Sequence, residues 1–208
     1  MLFRIVSALL VMLIFGCSTL DRNASLPILL AFPYQCSGPY MGKELSDEVV
    51  LKVRIAHEKW LKDPKDPQGQ QANFCRAKLS SGKFQQVDLT FAVFQMAMLA
   101  GANFTGAQLN EAQLQGANLS GANFSHAQLT GASLDDAMLH LAIFNKTLFG
   151  EKTAFRDGML YKAQFKEVDL TKIEGLTQSQ INMACLDLHT KLPQGLNRPE
   201  PCSEGIQN

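Results

Sequence analysis

The sequence has no excess of either charge. Lys plus Arg number 19 and Asp plus Glu number 19, so the net charge is zero. A nucleic-acid-binding chain usually shows a basic excess, and this one has none. Spacings that carry catalytic or metal chemistry are missing as well. There is no C-x-x-C, H-E-x-x-H or G-x-S-x-G, and no glycine-rich phosphate loop. Histidine is scarce. His57, His126, His140 and His189 are scattered, and no cysteine neighbours His126 or His140. Asp135-Asp136 is a carboxylate pair, but adjacent side chains here point in different directions, which suits a solvated corner. These absences leave no catalytic, cofactor-binding or metal residue to name, and the chain reads as a non-enzyme. Low complexity is missing too: hydrophobic residues make up 46%, as in a folded protein.

No apolar run reaches the roughly 20 residues of a membrane-spanning helix. The longest, Ile5 to Gly16, follows Arg4 and is sized for the core of a signal peptide. It ends in Ile14-Phe15-Gly16-Cys17, which resembles a bacterial lipobox. The resemblance implies that residues 1–16 are removed and that Cys17 is lipidated. Ser18 after the cysteine implies outer-membrane sorting, facing the periplasm, if the cell is Gram-negative. An ordinary signal peptide and an uncleaved anchor are the alternatives. All three place the mature chain outside the cytoplasm.

With Cys17 set aside, Cys36, Cys75, Cys185 and Cys202 remain. An even number in an oxidising compartment suggests two disulfides. Four cysteines allow three pairings. Local pairing, Cys36 with Cys75 and Cys185 with Cys202, is the expectation; buried free thiols at Cys75 and Cys185 are the alternative.

What the chain does have is a repeat. Leu or Phe recurs every fifth residue from Phe74 to Phe149, and again from Phe155 to Leu170 after one inserted residue. Two residues before each of these twenty centres stands a small or β-branched residue, alanine in fourteen cases. A period of five fits neither a helix nor a strand. It fits a chain that turns a corner every five residues, with one large and one small side chain pointing inward. At every fourth centre the residue type repeats. Phe84, Phe104, Phe124, Phe144 and Phe165 form one series; Leu79, Leu99, Leu119, Leu139 and Leu160 form another. Identical residues then stack along an axis as a four-sided coil. The insertion keeps both ladders in register and reads as a bulge at a corner.

The stretches Gly101-Ala-Asn-Phe-Thr-Gly-Ala-Gln-Leu109 and Gly116-Ala-Asn-Leu-Ser-Gly-Ala-Asn-Phe124 resemble the pentapeptide-repeat family. Its consensus is Ala, then Asp or Asn, then Leu, then two variable residues. The resemblance implies an all-β fold: a right-handed quadrilateral β-helix of about five coils. His57-Glu-Lys-Trp60-Leu61 before the repeats, and Gly175 to Ile181 with Thr190 to Pro193 after them, resemble the family's flanks. The expected organisation is a signal peptide at 1–16, a leader at 17–45, and a capping helix with linker at 46–71. The solenoid follows at 72–171, then a capping helix and tail at 172–208. Ser46 suits the N-cap of a helix through about Lys62, with Val50, Val53, His57 and Trp60 on one face. Thr177 with Gln180 suits the capping box of a second, short helix. Quintets in 82–98 and 142–158 match the consensus less well, so distorted coils are expected there.

Three functional classes follow. The first is a lipid-anchored envelope protein that binds or scaffolds an unidentified protein partner through neutral faces. The second is a DNA mimic acting on gyrase, as some members of the family are. Mimicry needs rows of carboxylates. Between Thr90 and Leu134 the only charged residue is Glu111, and residues 72–171 hold eight acidic and eight basic residues. The third is a secreted enzyme with a site on a flank. The first reading is preferred, with no cofactor, no nucleic acid and no small-molecule substrate.

Overall fold

A hydrogen-bond count over one quintet explains the fold. In the computed structural model, which describes residues 36–202, the quintet Asn118–Ala122 sends its five N–H groups to five acceptors. Asn118 N donates to Ala97 O on the coil before, at 2.9 Å. Leu119 N and Gly121 N donate to Met138 O and His140 O on the coil after, at 2.8 and 2.7 Å. Ala122 N closes the corner onto Leu119 O at 3.0 Å. Ser120 N has no backbone acceptor, and the Asn118 side chain takes it at 3.2 Å. The same cap recurs from Asp88 to Thr90, Asn103 to Thr105 and Asn123 to Ser125. Where a short Asp or Asn precedes the centre, its side chain thus completes the backbone bonding.

From Phe74 to Val168 each corner is a turn whose third residue has positive φ while its second does not, the pattern of a type II turn. Gly121 sits there with φ 67°, and the non-glycines Leu141 (58°), His126 (60°) and Phe91 (65°) adopt the same conformation. Between corners, three residues alternate in, out, in. The small residue and the centre are buried, and the residue between them faces out.

The outward residues pair in parallel with residues twenty further on. One side runs Asn73, Val93, Gln113, Ser133; the next Lys78, Met98, Asn118, Met138; then Lys83, Asn103, Asn123, Ile143; then Asp88, Gln108, Gln128, Leu148. Four quintets therefore return the chain to the same side. After Leu148 the step becomes 21, as in Ser133 with Ala154 and Met138 with Met159. The inserted residue lies at the corner between Leu148 and Ala154. Thr147 and Thr153 replace alanine there, and both hydroxyls are buried. They donate to Phe124 O and Leu129 O at 2.7 and 2.8 Å, so neither is left unpaired. Phe149 is only half-buried, tilted against Phe144 with ring centres 5.6 Å apart.

Two of the four interior columns are the matched ladders. Phe84, Phe104, Phe124, Phe144 and Phe165 stack with centroids 4.9–5.1 Å apart and planes within 9°. Leu79, Leu99, Leu119, Leu139 and Leu160 are all buried. A second pair, Phe74 on Phe94, stacks at 5.1 Å and meets the first ladder edge-on. Stacked and edge-on rings both suit the aromatic quadrupole.

Residues 82–98 are not distorted. Lys83, Asp88 and Val93 keep the step of twenty. Gly82 replaces alanine because a Cβ there would lie 2.6 Å from the Phe84 ring, and Val87 fills its own position from within. In 142–158 the departure is confined to the inserted corner.

Pairing also runs beyond 72–171. Glu44 in the leader bridges Lys78. Helix α1 (Asp47–Lys62) is N-capped by Ser46, which accepts from Val49 N. It buries Val50 and His57 toward the coils. Strands β1 (Ile143–Asn145) and β2 (Gln164–Lys166) are followed by helix α2 (Gln178–Met183) and strand β3 (Cys185–Leu186). The three strands form one parallel sheet in the order β1, β2, β3. With Ala154 paired to Glu174 and Asp169 to Lys191, the segment after 171 adds a further turn in which α2 replaces one side. Thr177 and Gln180 form a capping box at its start. The Gln180 amide also donates to Phe155 O and Gly158 O at 2.7 and 2.9 Å; Gly158 O is a group that the coil after would have bonded, and Phe155 O also keeps its corner bond from Gly158 N.

Candidate functional site

The four outward columns are the surface that another molecule would meet. All four carry amide side chains: Gln113 on the first side, Asn118 on the second, Asn103 and Asn123 on the third, and Gln108 and Gln128 on the fourth. The second side differs. There Lys78 and Asn118 alternate with Met98, Met138 and Met159. Met98 and Met159 are about half exposed. Reading the residue before every fourth centre would have shown this series in the sequence; the inward ladders drew attention away from it.

Charge is concentrated away from the middle coils and is mostly paired along the axis. Arg156 joins Asp135 on one coil to Glu174 on another; Lys146 meets Glu167 at 3.3 Å and Lys191 meets Asp169 at 3.2 Å. Such exposed pairs contribute about 0–1 kcal/mol each. Asp135 is therefore engaged by Arg156, which also donates its backbone N–H to it at 2.8 Å. Asp169 is held below the usual carboxylate range by the Thr171 hydroxyl it accepts from. Burial pushes Asp187 up, but bonds from Thr190 and the Glu167 N–H outweigh it and leave the carboxyl lowered.

The histidines do not converge. His57 is fully buried, and its Nδ1 accepts from Ala72 N at 3.1 Å, the N–H at the start of the first quintet. Burial lowers its pKa. It stacks on Trp60, which meets Phe91 edge-on. His126 and His140 stand at corners after Phe124 and Leu139, and His189 is exposed near the C-terminal end. No group of three or more His, Cys, Asp or Glu that could hold a metal occurs among the described residues.

The cysteines form two disulfides, Cys36–Cys75 and Cys185–Cys202. Each ties a flank to a coil. Cys17 and the segment 1–16 lie outside the described residues. No helix among the described residues is long and apolar enough to cross a membrane.

Beside α1 runs an open groove of about 400 Å³, lined by Asp47, Leu51, Arg54, Lys83 and Met98 among others. Lys83 and Asp47 pair across it at 3.2 Å, and the Arg54 Nε is buried without a partner. Its lining mixes both charges and apolar groups, so it selects no ligand class.

The family model "Pentapeptide repeats (8 copies)" matches residues 70–106 and 107–145. No curated protein matches the chain. Similar solved structures include a pentapeptide repeat protein from the thylakoid lumen of Arabidopsis thaliana. It is 23% identical with TM-score 0.46, over 48% of this chain and 68% of that one. HetL, a pentapeptide repeat protein involved in heterocyst differentiation regulation in the cyanobacterium Nostoc, is 22% identical with TM-score 0.26, over 64% and 65%. QnrB1, a plasmid-mediated fluoroquinolone resistance protein, is 15% identical with TM-score 0.27, over 62% and 87%. The quintets continue pairing past the matched stretch, as far as Glu174 and Lys191. Over residues 70–145, therefore, the chain matches the pentapeptide-repeat family model, which covers 76 of its 208 residues.

Proposed function

We propose that the chain is a non-enzymatic scaffold of the bacterial cell envelope, anchored by a lipid on Cys17 and presenting flat β-faces to a protein partner. The observation that carries the reading is the surface of the middle coils. From Thr90 to Leu134 they expose amide columns with Glu111 as the sole charge. Such faces recognise a partner by hydrogen bonds and shape. The body is a right-handed quadrilateral β-helix of about five coils, roughly 24 Å long at ~4.8 Å per coil. The helices α1 and α2 cover its ends and prevent end-to-end stacking. His57 supports that role at the first coil, and Gln180 at the last.

DNA mimicry is set aside on charge. On the fourth side Asp88 and Asp169 are separated by Gln108, Gln128 and Leu148, so no carboxylate row forms. A flank enzyme has no assembled residues to support it among those described.

The test is metabolic labelling with a palmitate analogue, comparing wild type with Cys17→Ala. Label should be lost in the variant; equal labelling removes the anchor. Photo-crosslinking from position 113 or 128 in the envelope should trap one dominant protein, and only solvent products there would remove the scaffold.

A further inference from the structure

We infer that His140, Met159 and Met183 form a binding site for a soft monovalent cation, Cu(I), in the pocket they share with Tyr161. The inference is independent of the envelope reading. It begins with register. Gly121 N donates to His140 O, Leu141 N to Tyr161 O, and Lys162 N to Met183 O. These bonds continue one corner column, so His140, Tyr161 and Met183 stand at the same corner on three successive coils. Met183 ends α2, and the helix that replaces one side of the last coil delivers it to this place. At a rise of ~4.8 Å per coil, the backbones of His140 and Met183 are about 10 Å apart. An imidazole and a thioether extended toward one another close that distance on a single ion. Met159 stands two residues before Tyr161 on the intermediate coil, facing out, and supplies the third donor from the side.

The pocket and its exposure agree with this arrangement. His140, Asp157, Met159, Tyr161 and Met183 all line one open pocket of about 500 Å³. Met159 is 50% exposed, Tyr161 52% and Met183 43%. Thioethers are ordinarily used to fill cores, and here two open onto the same water-filled space. The His140 and Tyr161 rings lie 6.2 Å apart at a tilt of 55°. The Tyr161 ring already faces a cation, the Lys162 ammonium 5.8 Å from its centroid, so it frames the pocket and the three donors alone hold the ion.

Ligand type selects the metal. Asp157 is the lone carboxylate lining the pocket, too few hard oxygens for calcium or magnesium. Two thioethers with one imidazole are soft, nitrogen-and-sulfur donors that favour Cu(I) over divalent zinc or calcium. Binding as Cu(I) needs no change of oxidation state and no co-reactant.

The experiment uses the full chain carrying Cys17→Ser, which removes the one cysteine outside the two disulfides. Cu(I) is titrated anaerobically against a chromogenic Cu(I) chelator, with Ag(I) as a redox-inert second probe. One ion per chain is expected. Met159→Leu and Met183→Leu keep the side-chain volume, should leave the melting temperature within a degree or two, and should each weaken binding at least tenfold. His140→Phe should do the same, whereas Met98→Leu, on the same side but two to four coils away, should change nothing. Failure of the parent to take up one ion overturns the inference. So does uptake that Met159→Leu and Met183→Leu leave unchanged, since the ion would then bind elsewhere.

Discussion

Replacing Phe124 by alanine removes the middle ring of the five-ring stack. Phe124 has no exposed surface, and its ring centre lies 5.0 Å from that of Phe104 and 5.1 Å from that of Phe144. Phe→Ala in a core costs about 3–5 kcal/mol, with the value set by how far neighbours collapse into the void. Here they cannot collapse far. The backbones on either side are pinned by the pairings of Asn123 with Asn103 and Ile143. The upper end, about 5 kcal/mol, is therefore expected. Phe124→Leu separates volume from stacking. It keeps much of the volume but loses two ring pairs at about 0.5–1.5 kcal/mol each, for a loss of about 1–3 kcal/mol. Urea unfolding followed by circular dichroism measures both. With a slope of about 2 kcal/mol per molar, the alanine variant should shift the midpoint down by about 2.5 M and the leucine variant by about 0.5–1.5 M. Total stabilities of about 5–15 kcal/mol leave the leucine variant folded even if the alanine variant is not. A loss below about 1 kcal/mol for Phe124→Ala, at unchanged slope, would refute the claim that stacked rings hold the coils together.

Gly121 and Leu141 occupy the same corner position on adjacent coils, both with positive φ. Gly121→Ala meets nothing within 4 Å, so it should cost only the backbone term of about 1 kcal/mol, while Leu141→Gly should be neutral or stabilise by up to about 1 kcal/mol. Melting curves giving both changes the same sign would refute the corner argument. Asn123→Ala removes the acceptor of Ser125 N, and urea midpoints should show a loss of about 0.5–1.5 kcal/mol. His57 is neutral in the fold because burial lowers its pKa, so the stability it contributes is present above about pH 6.5 and declines as pH falls from there through the lowered folded value. The melting temperature should fall between pH 7 and 5, and His57→Gln, whose amide oxygen can still accept from Ala72 N, should flatten that slope. In the loop-closure model, removing Cys185–Cys202, with a separation of 17, costs about 3 kcal/mol, and removing Cys36–Cys75, with 39, about 4 kcal/mol. Serine pairs at each position measure this, and the reverse order of losses would contradict the model.

The inward half of the fold was legible because burial acts on residue type. Only Leu and Phe at the centres and Ala beside them fit the interior, and the twenty-residue recurrence of Phe and Leu showed how many corners close a coil. Helix α1 was legible from Ser46 and the face of Val50, Val53, His57 and Trp60, and α2 from Thr177 with Gln180. The outward half was harder to read. An exposed column tolerates Lys78, Met98, Asn118 and Met138 equally well, so no residue preference marks which outward residues meet. Weak consensus in 82–98 suggested distortion, yet the coil there is regular and Gly82 stands where a Cβ would meet the Phe84 ring.

What the sequence by itself determined is the period and the stack. A chain with large apolar residues five apart and matched residues twenty apart can bury them only by coiling. What the tertiary structure alone decided is where distant segments join that stack. The rung from Glu44, the replacement of one side by α2, and the arrival of Met183 beside Tyr161 all depend on hydrogen bonds between residues 19 to 35 positions apart. Those bonds use the backbone, which every residue shares, and so they leave no mark in the order of the side chains.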